Sequence, residues 1–289
     1  MALGEIVKFS TKDGIELQGV LADAKSTVGL LHVHGLAGNF YENSFLDTLA
    51  DAAAGNRITF LSMNTRGHDY VNDLVRFDGK KHKIINIGGA LERFEDCLLD
   101  IQAGISVLKS RGCTNIVLQG HSSGCQKIAY YHLETKDPSV TGMVLLAPAD
   151  DMTIVRNMLG NKFGAAMKKM KKLVKSCKGA TFMPQGLLGL PVLSAGRLYS
   201  LCNPASIEAR LFNYEGPMKE ISKVSVPVLA IFGEKDTYLT QPATDLLRIM
   251  KSKATGTTCD TAVIKGAPHN FRGHEEQLVG LIIPWIRKH

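Results

Sequence analysis

From residue 28 onward, short apolar runs alternate with amphipathic helical stretches, and this alternation constrains the fold more than any other feature of the chain. The runs at 28–33, 58–63, 114–119, 143–148, 228–232 and 261–264 are apolar and rich in β-branched residues, as buried strands are. Helical spacing fills 43–54, 91–110, 125–134, 242–253 and 275–288. In 91–110, for example, Leu91, Phe94, Leu98, Ile101, Ile105 and Leu108 fall on one face. Parallel neighbours cannot be joined by a tight turn, so repeated strand, helix and strand predicts an α/β fold. Its mostly parallel sheet is covered on both faces. Residues 5–22, which alternate around Asp13-Gly14, are expected to add an antiparallel hairpin at the start.

Residues 151–222 break the rhythm, with no strand pattern between two sheet strands. Val155, Met158, Leu159, Phe163, Met167, Met170 and Val174 share one helical face, 186–191 reads as a loop, and 193–212 as one or two short helices. An insertion this long is usually functional. The expected organisation is therefore a core of residues 1–150 and 223–289, with 151–222 inserted as a helical cap.

The same interval explains the charge. The chain carries a net charge of +7, and residues 151–180 hold eight basic side chains against the single acid Asp151, which leaves the remainder balanced. No nucleic-acid-binding motif accompanies this basic cluster, so a nucleic-acid partner is not expected. A solvated helix face or attraction of an anionic substrate accounts for it. The N-terminus lacks a basic region followed by an apolar stretch, and no apolar run approaches the ~18 residues of a membrane span. The expectation is a cytoplasmic protein with no membrane span. Its six cysteines are scattered without a C-x-x-C pair and are expected to be free thiols.

Gly120-His121-Ser122-Ser123-Gly124 reads G-x-S-x-G between an expected strand and an expected helix, the setting of a nucleophile elbow. The glycines let two backbone segments crowd at a strained turn and lift the Ser122 hydroxyl into a cleft. Ligands of open α/β sheets sit at the carboxyl ends of the strands, where three other candidates lie. His34-Gly35-Leu36-Ala37-Gly38-Asn39 can aim a backbone N–H into the cleft. Leu36 and Ser123 are therefore the candidate oxyanion donors. Asp236 is the candidate acid, with Glu234 its competitor, and His269 the candidate base, with His274 behind it. His32 and His34 form an H-x-H pair with no completing ligand cluster, so no metal is expected. His121 is expected to pack beside the elbow.

These landmarks, together with Asn64-Thr65-Arg66-Gly67-His68, resemble the α/β-hydrolase superfamily over essentially the whole chain. The order Ser, Asp, His is the order that this superfamily uses. The elbow with its following Cys125-Gln126 and Tyr130-Tyr131 is similar to a family of unknown-function proteins that includes fungal siderophore esterases. The loop 34–39 is similar to that of feruloyl and cinnamoyl esterases. The resemblance implies a cofactor-independent serine hydrolase, a carboxylesterase acting on a small or medium acyl ester. Amide, thioester or carbon–carbon cleavage, acyl transfer, and a non-catalytic ligand-binding role stay open. Candidate substrate contacts are Asn39, Phe40, Met152, Met158, Tyr199, Phe212 and Tyr238. Phe163, Met167 and Met170 are further cap residues that divide between pocket lining and cap core.

Overall fold

A computed structural model describes residues 4–184 and 192–289 of the chain; the loop expected at 186–191 lies outside the described residues. The sheet has eight strands in the order β1 (Glu5–Ser10), β2 (Glu16–Ala22), β4 (Thr59–Met63), β3 (Val28–Val33), β7 (Asn115–His121), β8 (Val140–Leu146), β9 (Val228–Gly233) and β10 (Cys259–Ile264). β2 pairs antiparallel with β1 and with β4, and every other pairing in this sheet is parallel. The apolar continuity of the inner strands matches their burial: β3, β4, β7 and β9 are almost wholly enclosed.

The covering helices are α1 (Phe45–Gly55), α2 (Cys97–Ser110), α3 (Gly124–Thr135), α8 (Ala243–Lys253) and α9 (Glu275–Lys288). α2 lies close over the sheet because a Cβ at Gly104 would stand 2.4 Å from Met63 Sδ and 3.1 Å from a Leu31 methyl. After β3 the chain moves to β4 on one side, and later elements add β7 to β10 on the other. This reversal opens a crevice at the carboxyl ends of β3 and β7, where the loop after Val33 meets the turn after His121.

Two expectations shift. The helix expected from residue 91 begins at Cys97, after a 3₁₀ turn at Phe94–Asp96. Gly88 at φ +110° turns the chain first, Leu91 N–H and Glu92 N–H both bond back to Gly88 O, and Glu92 is drawn into a buried ion pair. No strand was expected between 64 and 90 either. There β5 (Asn72–Phe77) and β6 (His82–Ile87) form an antiparallel ribbon. Its connection is Asp78–Lys81, closed by Asp78 N–H donating to Lys81 O at 3.2 Å, with Gly79 at φ +90°, so a D-G turn signal was present at its start. The ribbon's largely exposed faces lack the apolar continuity used to recognise the other strands.

Within 151–222 the described residues form α4 (Asp151–Leu159), α5 (Phe163–Lys175), α6 (Ala195–Cys202) and α7 (Ile207–Leu211), with no strand among them. The single amphipathic pattern is two helices because Gly160, at φ +51°, breaks it. Val155, Leu159, Met170, Met183, Leu193 and Leu198 build a separate apolar cluster, against which Leu36 and Leu91 of the core pack.

A buried charge network fastens this helical segment to the core. Lys127 Nζ of α3 lies 2.8 Å from Glu92 Oε2, Arg197 Nη2 of α6 lies 3.3 Å from Glu92 Oε1, and Arg197 Nη1 lies 2.6 Å from Glu208 Oε2 of α7. Burial pushes the Glu92 carboxyl up, but Lys127 and Arg197 outweigh it and hold the group below its ordinary range.

All six cysteines are free, and only Cys177 is exposed. Among the described residues no helix is long and apolar enough to cross a membrane.

Candidate active site

The turn after β7 carries Ser122 at φ +54°, a left-handed conformation that costs a non-glycine residue of order 1–3 kcal/mol. Its neighbours hold it there. Ser122 N–H donates to Leu146 O at 2.8 Å, and its own carbonyl accepts from Cys125 N–H at 2.9 Å. A Cβ at Gly120 would come within 2.5 Å of the Gly124 backbone, and one at Gly124 within 2.2 Å of Val33 O. Both obstacles are backbone and cannot swing aside. Gly124→Ala is accordingly expected to cost about 3 kcal/mol or more, read as a lowered melting temperature.

The loop after β3 reaches the same turn. A Cβ at Gly35 would stand 3.0 Å from Ser122 Cβ, so glycine lets the loop close against the serine. His34 fixes the loop from beneath. Its Nδ1–H donates to Gly35 O at 2.8 Å, while Nε2 accepts the Thr65 N–H at 3.0 Å. Burial holds His34 well below the ordinary imidazole range, so it serves here as a neutral strut. His32 is bonded separately, its Nδ1 2.9 Å from Gln119 Nε2. The H-x-H pair is thus taken up by two different partners.

On the far side, the loops after β9 and β10 are fastened together. Lys235 N–H donates to Ala267 O at 2.9 Å, and a Cβ at Gly233 would stand 2.3 Å from that carbonyl oxygen. This brings Asp236 Oδ2 to 2.7 Å from His269 Nδ1, while Tyr238 N–H donates to Asp236 Oδ1 at 2.8 Å. Glu234 instead accepts the Gly266 N–H at 2.9 Å, and His274 Nδ1 lies 3.3 Å from Arg272 O. Of the competing acids and histidines, the structure pairs Asp236 with His269. His121, pushed down to about 3 by burial, is neutral and donates Nε2–H to His269 O at 2.9 Å. The Tyr238 ring stands edge-on to His269 with centroids 4.7 Å apart.

Ser122 and His269 line one cavity of about 280 Å³, together with Gly35, Leu36, His121 and Tyr238. Helical residues Asp151, Ile154, Val155, Met158 and Leu201 line it too, as do Glu42, Tyr70, Ala149 and Leu193. Of the expected substrate contacts, Leu36 aside, Met158 and Tyr238 are here. The others stand elsewhere. Asn39 donates to Asp69 and accepts from Tyr41 N–H, and Phe40 is held through its backbone by Asn64 and Ser62. Phe212 is fully enclosed in the main core, Met152 is buried, and Tyr199 lines a different groove between α6 and the 3₁₀ turn. Phe163, Met167 and Met170 belong to the apolar cluster of the helical segment.

The basic side chains also face away. Lys168, Lys171, Lys172 and Lys175 line a shallow outer depression on α5, and Arg156 pairs with Glu215 at 2.6 Å. Among the described residues, no lysine or arginine lines the cavity; its ionisable carboxyls are Glu42 and Asp151. Neither acid was among the sequence candidates, although Asp151 lies just beyond the strand run 143–148, as the other site candidates lie beyond theirs.

Such an arrangement places a hydroxyl and an imidazole with an acid behind it around one cavity. That is the equipment for nucleophilic acyl chemistry.

Residues 88–287 match the family described as "Protein of unknown function (DUF1749)". The chain matches no curated protein. Among solved structures it is similar to Est1E from Butyrivibrio proteoclasticus with ferulic acid bound, at 17% identity and a TM-score of 0.68, covering 97% of this chain and 98% of that one. It is similar to the siderophore hydrolase EstB from Aspergillus fumigatus at 16% identity and a TM-score of 0.68, covering 100% and 98%. It is also similar to the alpha/beta hydrolase GrgF from Penicillium sp. sh18 at 18% identity and a TM-score of 0.67, covering 99% of each. The fold is that of the α/β hydrolases.

Proposed function

The chain belongs to the DUF1749 family of proteins of unknown function, and from that premise we propose that it is a serine hydrolase that cleaves a small or medium carboxylic ester through an acyl-enzyme. One observation carries the reading. Ser122 is held at φ +54° in a cavity shared with His269, whose Nδ1 lies 2.7 Å from Asp236.

In the proposed reaction, Ser122 Oγ attacks the ester carbonyl and its proton passes to His269 Nε2. Asp236 accepts from Nδ1–H, which fixes the tautomer and stabilises the imidazolium. The N–H groups of Leu36 and Ser123 receive the oxyanion. Collapse expels the alcohol, which takes the proton from His269. Water then attacks the acyl-Ser122 ester by the same route in reverse and releases the acid. His121 keeps the His269 backbone in place. The helical segment 151–222 acts as a cap: Ile154, Val155, Met158 and Leu201 supply an apolar wall for the substrate. The names of the structural neighbours, a siderophore hydrolase and a protein with ferulic acid bound, support a small-molecule substrate.

The test is a fluorophosphonate probe followed by an ester panel. Wild type is expected to label covalently at Ser122, located by peptide mass spectrometry, and to release 4-nitrophenol from short-chain esters. Folded wild type that neither labels nor turns over any ester would refute the reading.

A further inference from the structure

Asp151 opens α4 directly after the loop that follows β8, and it lines the same cavity as Ser122. One of its oxygens is spoken for: Gln126 Nε2 of α3 donates to Asp151 Oδ2 at 2.9 Å. Around it the charges are already matched. Arg197 of α6 is paired with Glu208 of α7 and with Glu92, and Lys127 of α3 is paired with Glu92. That network sets two cations against two carboxylates. Asp150, beside it, caps α4 and accepts from Thr153 N–H and Tyr214 N–H. Cys202 of α6 is a buried thiol pushed up by burial and by Asp151 and Glu208, so it stays neutral and leaves the charge balance unchanged. An ionised Asp151 is therefore surplus negative charge at the wall of a pocket of mixed polar and apolar lining. Glu42, near the exposed side of the same cavity, has the same sign, and no described lysine or arginine lines the space.

A part-buried carboxylate without a matching cation bears a desolvation cost. The balancing charge can come from the occupant of the cavity. Resting on the hydrolase reading above, we propose that the substrate carries a cationic nitrogen, a protonated primary amine on its acyl group, which Asp151 receives at the inner wall while Ser122 faces the ester carbonyl. The state of the group fits this role. Burial, helped by Glu208 and opposed by Arg197, pushes Asp151 up to about 7, so a nearby cation decides its ionisation at neutral pH. The basic face of α5 does not contradict the assignment, since its lysines line an outer depression and not the cavity.

The experiment compares two rigid isosteres, 4-nitrophenyl 4-(aminomethyl)benzoate and 4-nitrophenyl 4-ethylbenzoate, on wild type and on Asp151→Asn. Wild type at pH 8 is expected to favour the amine in kcat/KM by about 10- to 100-fold, the range of a hydrogen bond to a charged group. Asp151→Asn should bring that ratio to one or below. The variant keeps the Gln126 bond and removes a carboxylate whose folded-state value lies above its ordinary one. Such a group costs stability as pH rises from about 4 to 7, so the variant should melt no lower than wild type at pH 8. Calorimetry gives a readout independent of catalysis. Benzylammonium should bind wild type more tightly than benzyl alcohol does, with affinity rising from pH 6 to pH 8 as Asp151 ionises, and the advantage should vanish in Asp151→Asn. Turnover of both esters with no preference for the amine, or a preference that survives Asp151→Asn, overturns the proposal and leaves the hydrolase reading standing. Benzylammonium binding that depends on Asp151 without turnover of either ester supports the proposal and removes the hydrolase reading.

Discussion

Asp236→Asn is expected to lower kcat on the best ester of the panel by about 10⁴-fold while the protein stays folded. The amide preserves the shape of the acid and can still accept the Tyr238 N–H that Asp236 Oδ1 now receives at 2.8 Å. Facing His269 Nδ1 at 2.7 Å, however, it can present its NH₂, which favours the tautomer with the proton on Nε2. That tautomer cannot take the Ser122 proton. The measurement is kcat alongside the melting temperature, and the comparison is Ser122→Ala. If the two residues act in one unit, the double variant loses no more than about what Ser122→Ala loses alone. Glu234→Gln serves as the contrast: its carboxylate ties the Gly266 N–H at 2.9 Å and has no contact with His269 in the structure, so its kcat should stay within about threefold. A larger loss in Glu234→Gln than in Asp236→Asn would reverse the assignment of the acid.

The largest effect on stability is expected at Lys127. Its ammonium and the Glu92 carboxylate are fully enclosed, and Thr65 Oγ1 at 3.4 Å is its other hydrogen-bond acceptor. Lys127→Met removes one partner and leaves Glu92 facing Arg197 alone, which breaks a buried pair at a cost of about 3–5 kcal/mol. For a chain of this size the melting temperature should fall by roughly 5–8 °C. The direction with pH also follows. Glu92 is held below its ordinary range in the folded protein, so its contribution is present above the unfolded carboxyl value and is lost as pH falls through the folded one. The gap between wild type and Lys127→Met should therefore be wider at pH 7 than at pH 4. A variant that melts with wild type at both pH values would show that the network adds no net stability.

How much of this was legible in the sequence depends on where each element's partners lie. The inner strands were readable because burial on both faces leaves a continuous apolar run, as in Val28–Val33. Ser122 was readable because a left-handed residue between crowded backbones needs Gly120 and Gly124 at fixed offsets. His269 and Asp236 could be nominated from their positions after strands, but their 2.7 Å approach comes from the contact of Gly233 with Ala267, which no local pattern encodes. The β5–β6 ribbon escaped because its exposed faces remove the apolar signal. The cavity wall escaped for a different reason. Phe212 and Met152 have the chemistry of pocket lining, and their burial away from the cavity is settled by packing between elements distant in the chain. Asp151, read only as the lone acid in a basic stretch, gains its meaning from Arg197 and Glu208, about fifty residues away in the chain.

The left-handed turn at Ser122 has one more consequence. Its conformation is imposed from outside by Leu146 O, by the Gly120–Gly124 approach and by Val33 O, which belong to three different strands and one helix. On the proposed chemistry, a serine freed from those contacts would be as inert as any other hydroxyl. The rate at which a fluorophosphonate marks Ser122 would then serve as a gauge of the native population. Titrated through denaturant or across destabilised variants such as Gly124→Ala, it would count molecules whose sheet centre is assembled, including in mixtures where a spectroscopic average cannot separate them.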